Sequence, residues 1–355
     1  MNQDLFQKLL ILRTQGIGAI KYSQLINQFG SAAAAAESLQ CDNALTDSVK
    51  REIDLADQSG IRYICDDNPL YPANLRKIKN HPPIITLRGN LSALAMPAVA
   101  IVGTRHATGA GMRFISELAQ AFAARGIAVV SGMAMGTDTA AHTGALRSGT
   151  TIAVLAGGAD YIWPLENESL YHKIIEQGAI ISEMPVGTKP VQGNFIQRNR
   201  WIAGLCDKLI LGEADAKSGS MATAGFALDY GRPVFAIPSH PSDSRSVGPN
   251  SLIASGAAKI VCGIGDFFPQ QAPTQDFQRR QSRREIYPAP TSGGRCVHRA
   301  ENNENALLDK LGIIPQSESV LAERVQKTIP EIKSQLVILE LQGLARKTDS
   351  GYVKN

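Results

Sequence analysis

Between residues 98 and 262 the chain repeats one pattern. Apolar runs recur roughly every 24 to 30 residues: "AVAIVG" (98–103), "IAVVSG" (127–132), "TIAVLAGG" (151–158), "AIISE" (179–183), "KLILGE" (208–213), "PVFAIP" (233–238) and "AKIVC" (258–262). That is the spacing of βα units. Helical patterns such as "FISELAQAFAARG" and "SLYHKIIEQG" lie between them. Strands that are apolar almost throughout are buried on both faces. The pattern therefore predicts a doubly wound, mostly parallel α/β sheet covered by helices. "IRYICDD" (61–67) and "PIITLRG" (83–89) read as additional leading strands.

Ligands of such sheets bind beyond the carboxyl ends of the strands, near helix N-termini. The unusual stretches fall there. "GTRHATG" follows the first main strand and "SGMAMGTDTAAH" (131–142) the second. "GGADYIWPLEN" (157–167) follows the third, "NFIQRNR" (194–200) the fourth and "AKSGSMATAG" (216–225) the fifth. Glycines such as Gly103, Gly132, Gly136 and Gly219 let backbone N–H groups point at an anion, and Thr104, Ser131, Thr137, Ser218, Ser220 and Thr223 offer hydroxyls. One such loop is ordinary helix capping; several on one sheet edge predict an anion-binding groove. The first of them is not a dinucleotide fingerprint. Arg105 stands where a close-approach glycine belongs, and a long cation there would crowd a buried pyrophosphate.

"NFIQRNR" reads as an exposed loop leading into a helix that starts near Arg198. An aromatic, Phe195, beside Arg198, Asn199 and Arg200 suits single-stranded nucleic acid: a face for a base and cations for phosphates. The competing reading is that Phe195 anchors the loop in the core and the arginines pair with Glu183 or Glu213. No catalytic constellation closes. Asp138 and His142 lie four apart on a helix, and Asp138 is read as fixing its own loop or capping a helix N-terminus rather than acting as a base. A second functional class stays open, in which a Rossmann-like enzyme binds nucleotides or hydrolyses nucleoside monophosphates through Asp138 or Glu166. The Pro-Gly-Gly-x-Gly-Thr signature expected of phosphoribohydrolases is missing.

The flanks differ in character. Residues 1–58 read as helices around a Gly-Ile-Gly turn (16–18), which either presents N–H groups to a phosphate or is a tight interhelical turn. Residues 59–269 hold the α/β pattern. Residues 270–303 read as a flexible basic linker. Between Gln270 and Ala300 six arginines stand against Asp276 and Glu285, which accounts for the whole formal charge of +4. Residues 304–355 read as three helices and a hairpin, a winged helix, with Thr328 capping the third helix. That helix is not basic, so duplex reading and protein docking both remain open. Five widely spaced cysteines, without Cys-x-x-Cys or His-Glu-x-x-His, argue against a disulfide framework or a zinc site. No membrane span or secretory signal is evident, and a cytoplasmic location is expected.

Taken in order, "IVGTR", "SGMAMGTDTAAH", "WPLEN", "SEMPVGTKP", "FIQRNRWIAGL", "SGSMATAGFALDYGRPVFAIP" and "GPNSLIASGA" resemble the DNA-processing protein A family (DprA, also called Smf) over most of the chain. The resemblance implies an extended Rossmann-like domain between an N-terminal helical (SAM or helix-hairpin-helix-like) unit and a winged helix. It implies sequence-independent binding of single-stranded DNA, a homodimer, and delivery of the strand to the RecA recombinase during natural transformation, with relief of the single-strand-binding-protein block. It brings no cofactor, metal or catalytic reaction. By motif position it makes Arg105 a DNA contact, Phe195 the base-stacking aromatic, and Arg198, Asn199 and Arg200 the family's Arg-Asn-Arg. Three positions depart: Gln192 replaces a frequent lysine, Ile196 the usual proline, and Ser239 the glycine of a Pro-Gly pair. Lys189 is the nearby candidate to replace the lost lysine.

Overall fold

A computed structural model describes residues 2–268, 307, 311, 316–341, 344–348 and 351–354. The basic stretch 270–303, all but 307 and 311 of the first winged-helix segment 305–312, and the hairpin tip at 349–350 lie outside the described residues. Two compact units are present, Met1–Ala272 and Pro273–Asn355.

The first unit opens with four helices, α1 (Gln3–Arg13), α2 (Ala19–Phe29), α3 (Ala32–Ser38) and α4 (Asn43–Gln58). The starts of α1, α3 and α4 are side-chain capped: Asn2 accepts from the Asp4 and Leu5 amides, Ser31 from that of Ala34, and Asp42 from that of Leu45. The turn before α2 needs Gly16, whose φ is 78°. Phe6, Leu9, Leu10, Val49 and Ile53 pack with Ile84, a residue of the sheet, so the helical layer and the sheet share a core.

The sheet has nine strands: β1 (Ile61–Cys65), β2 (Ile84–Gly89), β3 (Ala98–Val102), β4 (Ala128–Ser131), β5 (Thr151–Val154), β6 (Ala179–Ser182), β7 (Lys208–Leu211), β8 (Val234–Ala236) and β9 (Lys259–Ile260). The helices among them are α5 (Ala73–Arg76), α6 (Gly109–Ala123), α7 (Thr137–Ala145), α8 (Glu168–Gln177), α9 (Gln192–Leu205), α10 (Gly219–Asp229) and α11 (Val247–Ala254). The order across the sheet is β1-β2-β6-β5-β4-β3-β7-β8-β9. β1–β2 and β2–β6 are antiparallel, and every other pairing is parallel. The expected mostly parallel α/β sheet is therefore present.

Alternation along β3 shows why its run is apolar on both sides. Ala100 and Val102 pack with Trp201, Ile202 and Leu205 of α9 and Ala224 and Ala227 of α10. Val99 and Ile101 pack with Ile115, Leu118 and Phe122 of α6 and Ala141 and Ala145 of α7 on the other face. The chain lays β4, β5 and β6 on one flank of β3, then crosses through α9 to put β7, β8 and β9 on the other. The strand order thus reverses between β3 and β7, where a crevice is forced open at the carboxyl ends.

The second unit contains α12 (Glu318–Val325), α13 (Ile329–Leu341) and the antiparallel pair β10 (Ala345–Thr348) and β11 (Gly351–Lys354). Ser317 caps α12 by accepting from the Val320 amide. Thr328 precedes α13 and donates its amide and hydroxyl to the Glu331 carboxylate. Among the described residues no helix is long and apolar enough to cross a membrane.

Candidate nucleic-acid interface

The loop after β3 carries Arg105 out of the sheet edge. It is fixed at both ends by one residue. The Thr104 amide donates to the Glu213 carbonyl at 2.6 Å, and the Thr108 amide donates to the Glu213 carboxylate at 2.7 Å. Between them the His106 carbonyl accepts from Arg245 at 3.0 Å. Gly103 allows this seat: a Cβ there would stand 2.5 Å from the Thr137 hydroxyl and 2.9 Å from the Glu213 carbonyl.

Arg105 is exposed, and its guanidinium lies over two rings, 5.5 Å from the centre of Trp163 and 5.9 Å from that of Phe195. The two rings meet edge to face at 4.8 Å and 63°. Beside them is a cavity of about 300 Å³ lined by the Arg105 loop, α9 and the N-terminus of α10. Of the residues read from sequence, it gathers Gly103, Thr104, Arg105, Phe195, Arg198, Asn199, Ser218, Gly219, Ser220 and Thr223. Ser218 caps α10 through the Met221 amide, and Asn199 donates to the Gly219 carbonyl at 3.2 Å, tying α9 to that helix end.

Several of the sequence expectations need correction. "NFIQRNR" is not a loop. It belongs to α9, which already begins at Gln192. The buried positions Arg198, Trp201, Ile202 and Leu205 form a helical stripe facing the sheet. Arg198 is therefore inside, 7% exposed, and donates to the carbonyls of Gly132 and Val154 (the latter at 2.7 Å). Arg200, two positions on, must face elsewhere. It meets the Tyr230 hydroxyl at 3.3 Å and lies over the Trp201 ring, away from the cavity. Neither arginine forms an ion pair with Glu183 or Glu213 within 4 Å, but the Arg200 cation acts on the Glu183 carboxyl, opposing the rise that burial imposes on it. Phe195 is half-buried on Trp163 rather than lost in the core.

Three hydroxyl-bearing residues are committed inside the fold. Ser131 donates to the Ile101 carbonyl at 2.6 Å and Thr223 to the Gly219 carbonyl at 2.9 Å. Thr137 is 1% exposed and its amide is spent on the Thr104 carbonyl. Gly132 gives its amide to Asp138 and its carbonyl to Arg198. Gly136, at φ 74°, lets its own loop pass against the Thr104 and Arg105 carbonyls. Lys189 is exposed and does not line the cavity.

Asp138 braces its loop, accepting from the Gly132 and Ala134 amides at 3.2 Å each. Burial raises its carboxyl above the ordinary range, and the Arg198 cation pulls the other way. Burial likewise lowers Arg198 to about 10, opposed by Asp138. His142, buried and bonded to the Thr151 hydroxyl at 2.7 Å, is pushed down to about 3 by burial, with Arg198 acting in the same sense. Among the described residues no group of His, Cys, Asp and Glu could hold a metal ion.

Sequence reasoning did not single out Trp163. Its signal was available: an aromatic in the loop after β5, at the same sheet edge as Arg105.

A family model described as DNA recombination-mediator protein A matches residues 62–271. Models of a DprA-like N-terminal HHH domain and a DprA winged helix domain match 2–59 and 297–351. This chain belongs to the DprA/Smf family. The Smf protein of Escherichia coli strain K12 is 32% identical over 317 residues, covering 86% of this chain and 81% of its own. That of Synechocystis is 41% identical over 209 residues, which span 58% of this chain and only about half (52%) of the Synechocystis protein. The X-ray structure of Streptococcus pneumoniae DprA superposes with a TM-score of 0.60 at 34% identity, covering 74% of this chain and 94% of that one. A Helicobacter pylori DprA structure, which describes that protein's single-stranded DNA binding mode, superposes with a TM-score of 0.54 at 33% identity over 59% and 95%. In this chain the Arg105–Trp163–Phe195 cluster brings an exposed cation together with two half-buried aromatic rings at the sheet edge.

Proposed function

We propose that the α/β unit binds single-stranded DNA across its strand ends, without sequence preference, and that the protein acts as a homodimer passing the strand to RecA and relieving the block by single-strand-binding protein. No chemical step is part of this reading.

The observation that carries it is Arg105 lying over both Trp163 and Phe195. A strand entering there meets an aromatic face for a base and a cation for the next phosphate. The N-terminus of α10, at Gly219 and Ser220 across the same cavity, suits a second phosphate. Stacking tolerates every base, which supports the absence of sequence preference. The relation of the chain to the Helicobacter pylori protein supports the same ligand. Lys189 and Arg200, outside the cavity, are proposed only as peripheral contacts.

The test is a titration of fluorescent oligonucleotides of several sequences into wild type, Arg105→Ala and Phe195→Ala. Removing one stacking ring costs about 1–3 kcal/mol in such sites, so Phe195→Ala should weaken binding at least about fivefold for every sequence. Wild-type affinity in both variants would overturn the site. Sedimentation of the full chain tests the dimer. RecA filament formation on strands coated with single-strand-binding protein tests delivery.

A further inference from the structure

Behind the Arg105 loop lies a second cavity, of about 370 Å³, between the N-terminus of α6 and the ends of β7, β8 and β9. The two cavities share one loop. Residues 103–106 line the first, and 107, 108, 110 and 111 line the second. The second has apolar walls, among them Phe114, Ile115, Ile237 and Val261, and among the described residues its one charged lining side chain is Glu213.

Glu213 is 8% exposed. One carboxylate oxygen accepts from the Thr108 amide at 2.7 Å and the other from the Thr108 hydroxyl at 2.5 Å. A carboxylate offers about four lone-pair positions, so about two are left. Among the described residues no cation forms an ion pair with it within 4 Å, although the Arg245 cation feels its charge. The guanidinium of Arg245 is bound to both oxygens of Asp243 and to the His106 carbonyl instead. The carboxylate also occupies the start of α6, where an anionic ligand would otherwise sit, so the cavity repels phosphates. An apolar chamber lined by a buried carboxylate that has spare acceptor capacity and no ion-pair partner among the described residues selects a forked cation.

We propose that this cavity binds a small organic cation, a guanidinium or amidinium carried on an apolar body, with Glu213 as its anchor. This site is separate from the DNA groove and does not rest on the DNA-binding reading. Because Glu213 also pins Thr104 and Thr108, an occupant of this site touches the residue that seats Arg105.

The probe is benzamidine, titrated against the full chain and followed by protein-observed nuclear magnetic resonance. Benzamide, the same ring without the charge, and benzoate, the same ring with the opposite charge, are the other arms. Benzamidine should saturate, benzamide should bind at least about tenfold more weakly, and benzoate should not bind. Glu213→Gln should cost benzamidine at least about tenfold and abolish its advantage over benzamide. Ala110→Phe, at an exposed lining position on the first turn of α6, puts a ring into the cavity while leaving the Glu213 carboxylate in the chain, and should block binding even if the Gln variant folds poorly. Absence of saturation at millimolar benzamidine, equal binding of benzamide, or benzamidine binding that survives Ala110→Phe would each overturn the proposal.

Discussion

Arg105 and Trp163 come from loops after different strands, yet the guanidinium stands 5.5 Å from the indole centre. The chain has two tryptophans, and the other, Trp201, is 3% exposed in the core. Trp163 is therefore a built-in reporter. In a Trp201→Phe background, single-stranded DNA should change the remaining emission as a phosphate draws Arg105 off the ring and a base approaches it. Unchanged emission at saturating DNA would separate the ligand from this cluster. Trp163→Ala should in turn weaken binding by about 1 kcal/mol or more, since Phe195 then loses the ring it leans on as well as a stacking face.

His142 gives the fold a pH dependence. Its folded imidazole takes a proton only at about 3, against 6.5 for the ordinary side chain. Between those values the unfolded chain binds the extra proton, so stability is full above 6.5 and falls as the pH drops towards 3. The slope is about 1.4 kcal/mol per pH unit. Asp138 acts oppositely: its raised carboxyl takes up a proton first in the folded state. Urea unfolding at about pH 7 and about pH 5 should show a drop of about 2 kcal/mol that shrinks in His142→Asn, whose amide keeps the donor to Thr151. An identical drop in both proteins would refute the assignment.

Gly136 couples loop conformation to the candidate interface. Its φ of 74° and ψ of −118° suit glycine, and a Cβ would press on the Arg105 and Thr104 carbonyls. Gly136→Ala should therefore cost about 1–3 kcal/mol of stability and weaken DNA binding by displacing Arg105. Gly193→Ala is the control. It adds a methyl to α9 with nothing within 4 Å and should leave the melting temperature equal or higher.

The sheet was legible because its parallel strands are buried on both faces and so read as unbroken apolar runs. The strand-end rule then put Arg105 and Phe195 on one edge from the sequence alone. What stayed hidden was the start of α9. Its N-cap position is Val191, which makes no side-chain capping bond, so no Ser, Thr, Asp or Asn announced the helix. Without that start, the helical register was lost, and with it the knowledge that Arg198 faces the sheet while Arg200 faces away. Trp163 was hidden for a different reason. Its meaning lies in contacts to Phe195 and Arg105, which only the folded sheet edge creates.

Gln192 is the departure whose consequence can be measured. It is exposed at the first position of α9, three residues before Phe195, so both project from one side of the first turn. A lysine there would reach the backbone of a strand stacked on Phe195. It would also sit unfavourably at a helix N-terminus, a cost of about 0.3–1 kcal/mol in the free protein. Gln192→Lys should accordingly lower the melting temperature slightly yet tighten single-stranded DNA binding. Each added phosphate contact on a single strand steepens the plot of log affinity against log salt by about 0.7. Titrations at several salt concentrations should show that increment in Gln192→Lys and its loss, by about the same amount, in Arg105→Ala. A lysine variant with tighter binding but an unchanged slope would mean that the gain is not a phosphate contact, and that the strand does not pass the start of α9.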